Sequence, residues 1–202
     1  INNGKPLSSL PARYNNLITG VDSNGTATSD GHGSYGTYWP HAIDPSVFYD
    51  DQGELWMNYG SWSGGIYMIK LDKNTGLRDY TVDYPYEING AAANESTRDG
   101  NVTSDPYFGK KVAGGFYLSG EGPYIEKIGN YYYLFISYGF YSPTGGYNMR
   151  IFRSENPDGP YVDVNGDSAI YDRGGNNFKS RPSRGLQLMG NYQWDTMAVA
   201  EV

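Results

Sequence analysis

One succession is written twice along this chain: an acidic residue, a proline within two positions, a short apolar strand, a tight turn and a second strand rich in aromatics. The first copy runs Asp44-Pro45-Ser46-Val47-Phe48-Tyr49, turns at Asp51-Gln52-Gly53 and continues Glu54-Leu55-Trp56-Met57-Asn58-Tyr59-Gly60. The second runs Glu121-Gly122-Pro123-Tyr124-Ile125, turns at Ile128-Gly129-Asn130 and continues Tyr131-Tyr132-Tyr133-Leu134-Phe135-Ile136-Ser137-Tyr138-Gly139. Each copy proceeds into a further strand, Gly65–Asp72 and Gly146–Ser154, closed by the polar turns Lys73-Asn74-Thr75-Gly76 and Glu155-Asn156-Pro157-Asp158-Gly159. Each unit therefore reads as three or four antiparallel strands with an acid at the mouth of its first hairpin.

Self-similar units of four short strands mark propeller blades, whose innermost strands line a central channel, so acids at the starts of those strands converge. The bland alternative is that Asp-Pro and Glu-Gly-Pro only punctuate strand starts, because proline is tolerated there and the residue before it is extended. A turn does not require the same chemistry twice, and the repetition favours a functional pair.

The 28 Gly, 11 Pro and 21 Tyr suit an all-β protein with many tight turns, and no segment carries sustained helical periodicity. Residues 1–38 read as a loop-rich lead-in with one minor strand near Asn15-Leu17-Ile18. A blade carrying Asp44 follows over 38–84, then a long connection over 85–119 in which Ala91-Ala92-Ala93 suits a helical turn. A blade carrying Glu121 spans 120–165, and a further blade opens over 166–202 with strands at Ala169-Ile170-Tyr171 and Arg184–Tyr192. A closed five-bladed ring needs more than 202 residues, so the expectation is a partial propeller.

A formal charge of −7, with 15 scattered Lys and Arg, argues against a polyanion, so no nucleic-acid partner is expected and an uncharged ligand is. Without cysteine there is no thiolate metal site or Cys nucleophile. The longest apolar run, at Leu134-Phe135-Ile136, is too short to cross a bilayer, and no membrane partner is expected. The only histidines, His32 and His41, have no neighbouring acids and give no metal site; His41 reads as a structural residue beside the cleft.

Two carboxylates facing one aromatic-walled cleft are the equipment for cleaving a glycosidic bond: one protonates the leaving oxygen while another activates water or attacks. A general acid must hold its proton near neutral pH, and a second carboxylate across the cleft helps it do so. Glu121 has the longer arm to reach a glycosidic oxygen; Asp44, short and at a strand start, is better placed to tune a neighbour. Sugar faces stack on aromatic rings, and Trp39 and Trp62 are the strongest candidates among the flanking aromatics, which include Phe116, Tyr117, Tyr124 and Tyr141.

The segments His41–Phe48, Tyr59-Gly60-Ser61-Trp62-Ser63-Gly64-Gly65-Ile66 and Glu121–Ile125, followed by Tyr131–Ser137, resemble glycoside hydrolase family 43, specifically its endo-1,5-α-L-arabinanases, over about residues 38–192. The resemblance implies a five-bladed β-propeller that inverts the anomeric centre of arabinan or arabino-oligosaccharide, with Glu121 as general acid and Asp44 as the carboxylate that tunes and orients it. Ile43, Ser61, Trp62, Trp39 and His41 are the substrate-binding candidates. It implies a secreted or periplasmic location, and a calcium ion whose His falls beyond Val202. The family's general base precedes the position of Asp44, but Asp22 and Asp30 lie in Gly- and Ser-rich loop and Asp105-Pro106-Tyr107 comes too late in order. The expectation is that these residues supply the middle blades of a longer enzyme, completed by another segment or a second chain. The nearest rivals are an exo-acting arabinofuranosidase or xylosidase of the same family and a non-catalytic arabinan-binding fragment.

Overall fold

The structure, a computed structural model, describes residues 40–88, 91–92, 102–114, 120–142, 146–170, 184–190, 193–194 and 197–198. The lead-in, its strand near Asn15-Leu17-Ile18, and Trp39, Phe116 and Tyr117 lie outside them. The described residues form three antiparallel sheets, and their one helical element is a 3-10 turn at Trp62–Gly64.

The first repeat gives β1 (Ser46–Tyr49), β2 (Leu55–Tyr59) and β3 (Ile66–Leu71), and the second gives β8 (Glu121–Ile128), β9 (Tyr131–Tyr138) and β10 (Asn148–Ser154). The segment read as a connection carries strands instead: β4 (Glu87–Ile88), β5 (Ala91–Ala92), β6 (Val102–Asp105) and β7 (Gly109–Ala113). They extend the first sheet to seven strands in the order β1-β2-β3-β7-β6-β4-β5. Ala91–Ala92 pairs with Glu87–Ile88 rather than forming a helical turn. Asn89-Gly90 between them in sequence is a strong two-residue hairpin signal, which outweighs the helix preference of so short an alanine run. The second sheet runs β11-β10-β9-β8, with β11 at Leu186–Gly190, and β12 (Gln193–Trp194) pairs with β13 (Met197–Ala198).

Local chemistry fixes both hairpins. Asp50 turns the first: its Oδ1 accepts the backbone N–H groups of Gln52 and Glu54 at 2.9 and 2.8 Å, and its Oδ2 accepts Nε1–H of Trp56 at 2.9 Å. In the second, Ile128 pairs with Tyr131 across Gly129-Asn130, and Gly129 takes the positive φ of 60° that suits the first central residue of a two-residue turn. The β6–β7 turn is organised by Asp105, fully buried, whose Oδ1 accepts the amides of Tyr107 and Phe108.

The period-two pattern of the aromatic strands sorts their faces. In β9, Tyr132, Leu134 and Ile136 are buried while Tyr131, Tyr133 and Phe135 are only partly covered. The buried row joins Ile125, Phe152 and Tyr138 of its own sheet and Ile66, Met68 and Val112 of the other in one core, with Phe48 and Trp56 packed against it. Each such side chain contributes about 1.5–3 kcal/mol, so the seam between the sheets is the main cohesive feature. Polar ties border it. The Tyr132 hydroxyl donates to Oδ1 of Asp51 at 2.9 Å and accepts the Asp51 amide, and Lys127 Nζ reaches Oδ2 of Asp51 at 2.7 Å.

Candidate active site

The seam ends where the first strands of the two hairpins meet, since β8 packs against β1 and β2. Asp44 stands two residues before β1, and Glu121 is the first residue of β8. The structure brings them together: Oδ2 of Asp44 accepts the backbone N–H of Gly122 at 3.1 Å. The two acids are not at equal register, however. Aligning the hairpins on Tyr59-Gly60 and Tyr138-Gly139 puts Glu121, paired with Ser137, where Ser46 pairs with Asn58. Asp44 thus lies beyond the end of its ladder and reaches back to the other sheet.

Both oxygens of Glu121 are engaged. The Trp62 indole donates Nε1–H to Oε2 at 2.9 Å, and the Tyr147 hydroxyl donates to Oε1 at 2.6 Å. Trp62 comes from the first sheet's β2–β3 connection and Tyr147 from the residue before β10, so the carboxylate is clamped from both sides of the seam. A further bond, from the Trp62 amide to the carbonyl of Gly120 at 2.7 Å, fixes the same junction through the backbone.

The clamp requires an unusual backbone. Trp62 has φ 52° and Asp44 φ 53°. Asp visits the left-handed region with modest strain, but for a bulky residue such as Trp it is an outlier that persists only where its surroundings enforce it. The enforcing contacts are the Gly65 amide on the Trp62 carbonyl at 2.8 Å and the Gly60 amide on the Ile43 carbonyl at 3.0 Å. Gly60 explains the glycine at the head of this motif: φ is 121°, and a Cβ there would stand 2.5 Å from the Gly65 carbonyl oxygen.

Tyr147 is buried and feels both acids. Burial pushes its hydroxyl far above the ordinary tyrosine range, its hydrogen bond to Glu121 and the charge of that carboxylate push the same way, and the Asp44 charge adds to them. A hydrogen bond with the Ser137 side chain acts in the opposite direction. The Tyr147 ring is held edge-on by Tyr141 at 5.7 Å, and Trp62 meets Phe140 edge-on at 5.1 Å. Tyr141 is itself two-thirds exposed at the rim.

Of the substrate-binding candidates, Trp62 lies at the acid and Ser61 is buried beside it. His41 is half-buried at the approach to Asp44. Ile43 meets the site through its carbonyl, while the residue lines an apolar groove with Ala42, Pro45, Met57, Tyr59 and Leu77 on the sheet face away from the seam. Asp105 is committed to its turn amides. The residues that sequence reading missed are Tyr147 and Ser137. The signal for Tyr147 lay in the repeat itself, because the matching residue of the first copy is Ile66, and a hydroxyl had replaced an apolar group.

The model for glycosyl hydrolases family 43 matches residues 15–189. An extracellular endo-α-(1→5)-L-arabinanase of Thermotoga petrophila is 40% identical, covering 94% of this chain and 38% of its own length. An extracellular endo-α-(1→5)-L-arabinanase of Bacillus subtilis is 37% identical over 84% of this chain and 32% of its own length. The solved structure of a family 43 glycoside hydrolase from Bacillus licheniformis superposes with TM-score 0.63 at 34% identity, over 89% of this chain and 35% of that one. This chain thus spans about a third of the length of the curated relatives it matches. The paired acids, the repeat that carries them and the match over most of the sequence lead to one conclusion: the chain belongs to glycosyl hydrolase family 43.

Proposed function

We propose that this chain carries the acid half of the catalytic site of an inverting α-1,5-L-arabinan hydrolase, endo-acting and secreted, built as a five-bladed β-propeller whose middle blades lie in this sequence. Glu121 protonates the leaving glycosidic oxygen. Asp44 orients that step and contributes the second negative charge, and the general base comes from outside the described residues. The observation that carries this reading is the clamp on Glu121: a carboxylate between two sheets, both oxygens bonded, with a second carboxylate bonded to the next residue's amide. The names of the two relatives support both the endo-arabinanase reading and the extracellular one.

The chemistry follows from the geometry. Arabinan is uncharged, so binding relies on ring faces and hydroxyl hydrogen bonds rather than ion pairing, and Tyr141 and Trp62 offer aromatic surface at the acid. Inversion requires an acid on one side of the scissile bond and a base with its water on the other. Among the described residues no group of three or more His, Cys, Asp or Glu is arranged to hold a metal ion, and no step here is routed through one.

The test is a reducing-sugar assay on linear 1,5-α-arabinan with NMR of the anomer first released by the intact protein. Internal cleavage with inverted products is expected. Release of single arabinose units from one end would replace endo with exo action; retained configuration would remove the acid-and-base division altogether; binding of arabinan without hydrolysis would leave a recognition domain.

A further inference from the structure

We propose that Tyr147 is a positioning residue for the acid, fixing which oxygen of Glu121 holds the proton to be delivered; this rests on the reading of Glu121 as general acid. An indole N–H can only donate, so the oxygen facing Trp62, Oε2, is an acceptor in every protonation state. The carbonyl-type oxygen of a carboxylic acid is its better acceptor, and the proton is therefore held at Oε1. There it meets the Tyr147 hydroxyl, which unlike the indole can either donate or accept.

Behind Tyr147 stands Ser137, buried, whose hydroxyl is a second rotor hydrogen-bonded to the first. The chain Glu121–Tyr147–Ser137 can reverse its polarity without moving a heavy atom. With Glu121 protonated, Oε1–H donates to Tyr147 and Tyr147 to Ser137. As the glycosidic C–O bond breaks, its electron pair stays on the leaving oxygen and the Oε1 proton moves to that oxygen. Glu121 is left as a carboxylate, to which the Tyr147 hydroxyl turns and donates across the 2.6 Å separation. Water bonds to the anomeric carbon and gives its proton to the base. Hydrogen bonds to a charged acceptor are about twice as strong as those between neutral groups, so Tyr147 favours the post-transfer state and assists delivery.

The test compares Tyr147→Phe with Glu121→Gln in the intact protein on linear arabinan and on a nitrophenyl arabino-oligosaccharide, whose leaving group needs little protonation. For Tyr147→Phe, kcat on arabinan is expected to fall about 10–100-fold, a fraction of the full general-acid effect, with KM within about threefold. The loss on the nitrophenyl substrate should be at least about tenfold smaller. The alkaline limb of the pH profile should move to higher pH, since the ionised acid loses a donor. Ser137→Ala, which keeps the ring, should show a smaller loss with the same dependence on leaving group. Equal losses on both substrates with an unmoved limb would overturn the proposal and reduce Tyr147 to packing, as would no loss at all. If Glu121→Gln itself hydrolyses arabinan normally, the acid assignment fails; if only Tyr147→Phe lacks the leaving-group dependence, the acid stands and this inference falls.

Discussion

The two hairpins share a frame and differ in one row of side chains. At matching positions of the two repeats, the second sheet presents Glu121 opposite Ser137, with Tyr147 two residues before Ser137's other partner Met149, and the first presents Ser46 opposite Asn58, with Ile66 two residues before Met68. In the second, every polar group has a partner: acid to phenol, phenol to serine. In the first, Asn58 is fully buried and neither its amide nitrogen nor its oxygen meets a protein partner among the described residues. The strands build the same platform twice; the side chains at the mouth give one platform the clamped carboxylate Glu121 and leave the other as the wall that supplies Trp62 and Asp44.

A matched pair of substitutions breaks this comparison most directly. Glu121→Ala should lower kcat on linear arabinan about 10³-fold, within the range of general acid catalysis, while Ser46→Ala, at the same register, should stay within about threefold of the parent. Similar losses from both would dissolve the distinction. Asp44→Asn keeps the tolerance for positive φ and the hydrogen bond to Gly122 but removes the charge; a fall in kcat of about 10–100-fold is expected, with little change in KM. A change confined to KM would make Asp44 a substrate ligand instead.

The strand beside β3 sharpens the contrast through pH. Lys111 on β7 is buried, and desolvation pushes its amine down to about 7 although it stands 5.5 Å from the Tyr67 ring, whose face would favour the cation; loss of water dominates. An amine whose proton affinity is lower in the folded chain leaves the unfolded chain holding an extra proton between about pH 7 and the ordinary lysine value near 10.4, so stability rises with pH across that window. Lys111→Met should flatten this slope in urea titrations and raise stability near pH 7 by about 1–3 kcal/mol; an unchanged slope would mean that the amine stays charged. Nothing similar is expected from β11, the corresponding strand of the second sheet, whose side chains are mostly exposed. The smallest effect concerns Asn58: replacing an unpartnered buried amide with an apolar side chain of similar shape is neutral to stabilising, so Asn58→Leu should raise stability by about 1 kcal/mol. A loss of 2 kcal/mol or more would show that the amide is satisfied after all.

How much of this was legible in the sequence depended on where the information was local. The hairpins were readable because alternation and turn residues act within a few positions: Tyr132, Leu134 and Ile136 announce a face, and Gly53 and Gly129 announce turns. Strands β4 and β5 were harder to read, since two residues carry no periodicity and Asn89-Gly90 between them is their one local signal. The partnership of Asp44 and Glu121 was legible as repetition, but its offset was not: Gly122 and Pro123 fall at an irregularity in the β8–β9 ladder, where Glu121 pairs with Ser137 and Tyr124 with Phe135. Tyr147 was hidden among 21 tyrosines. The repeat marks its position, where the first copy has Ile66, but not its contact with a carboxylate from another strand.

Glu121 takes one of its two clamping bonds from the neighbouring sheet, and Asp44 likewise holds on to a backbone amide it does not share a ladder with. The geometry of the two acids is thus a property of a joint, not of either part. A slide of one sheet over the other by an ångström would break 2.9–3.1 Å bonds while every strand remained hydrogen-bonded. Loosening the seam, for instance at Met68 or Ile136, should therefore silence the enzyme well before circular dichroism registers any loss of strand, with heat inactivation running ahead of melting.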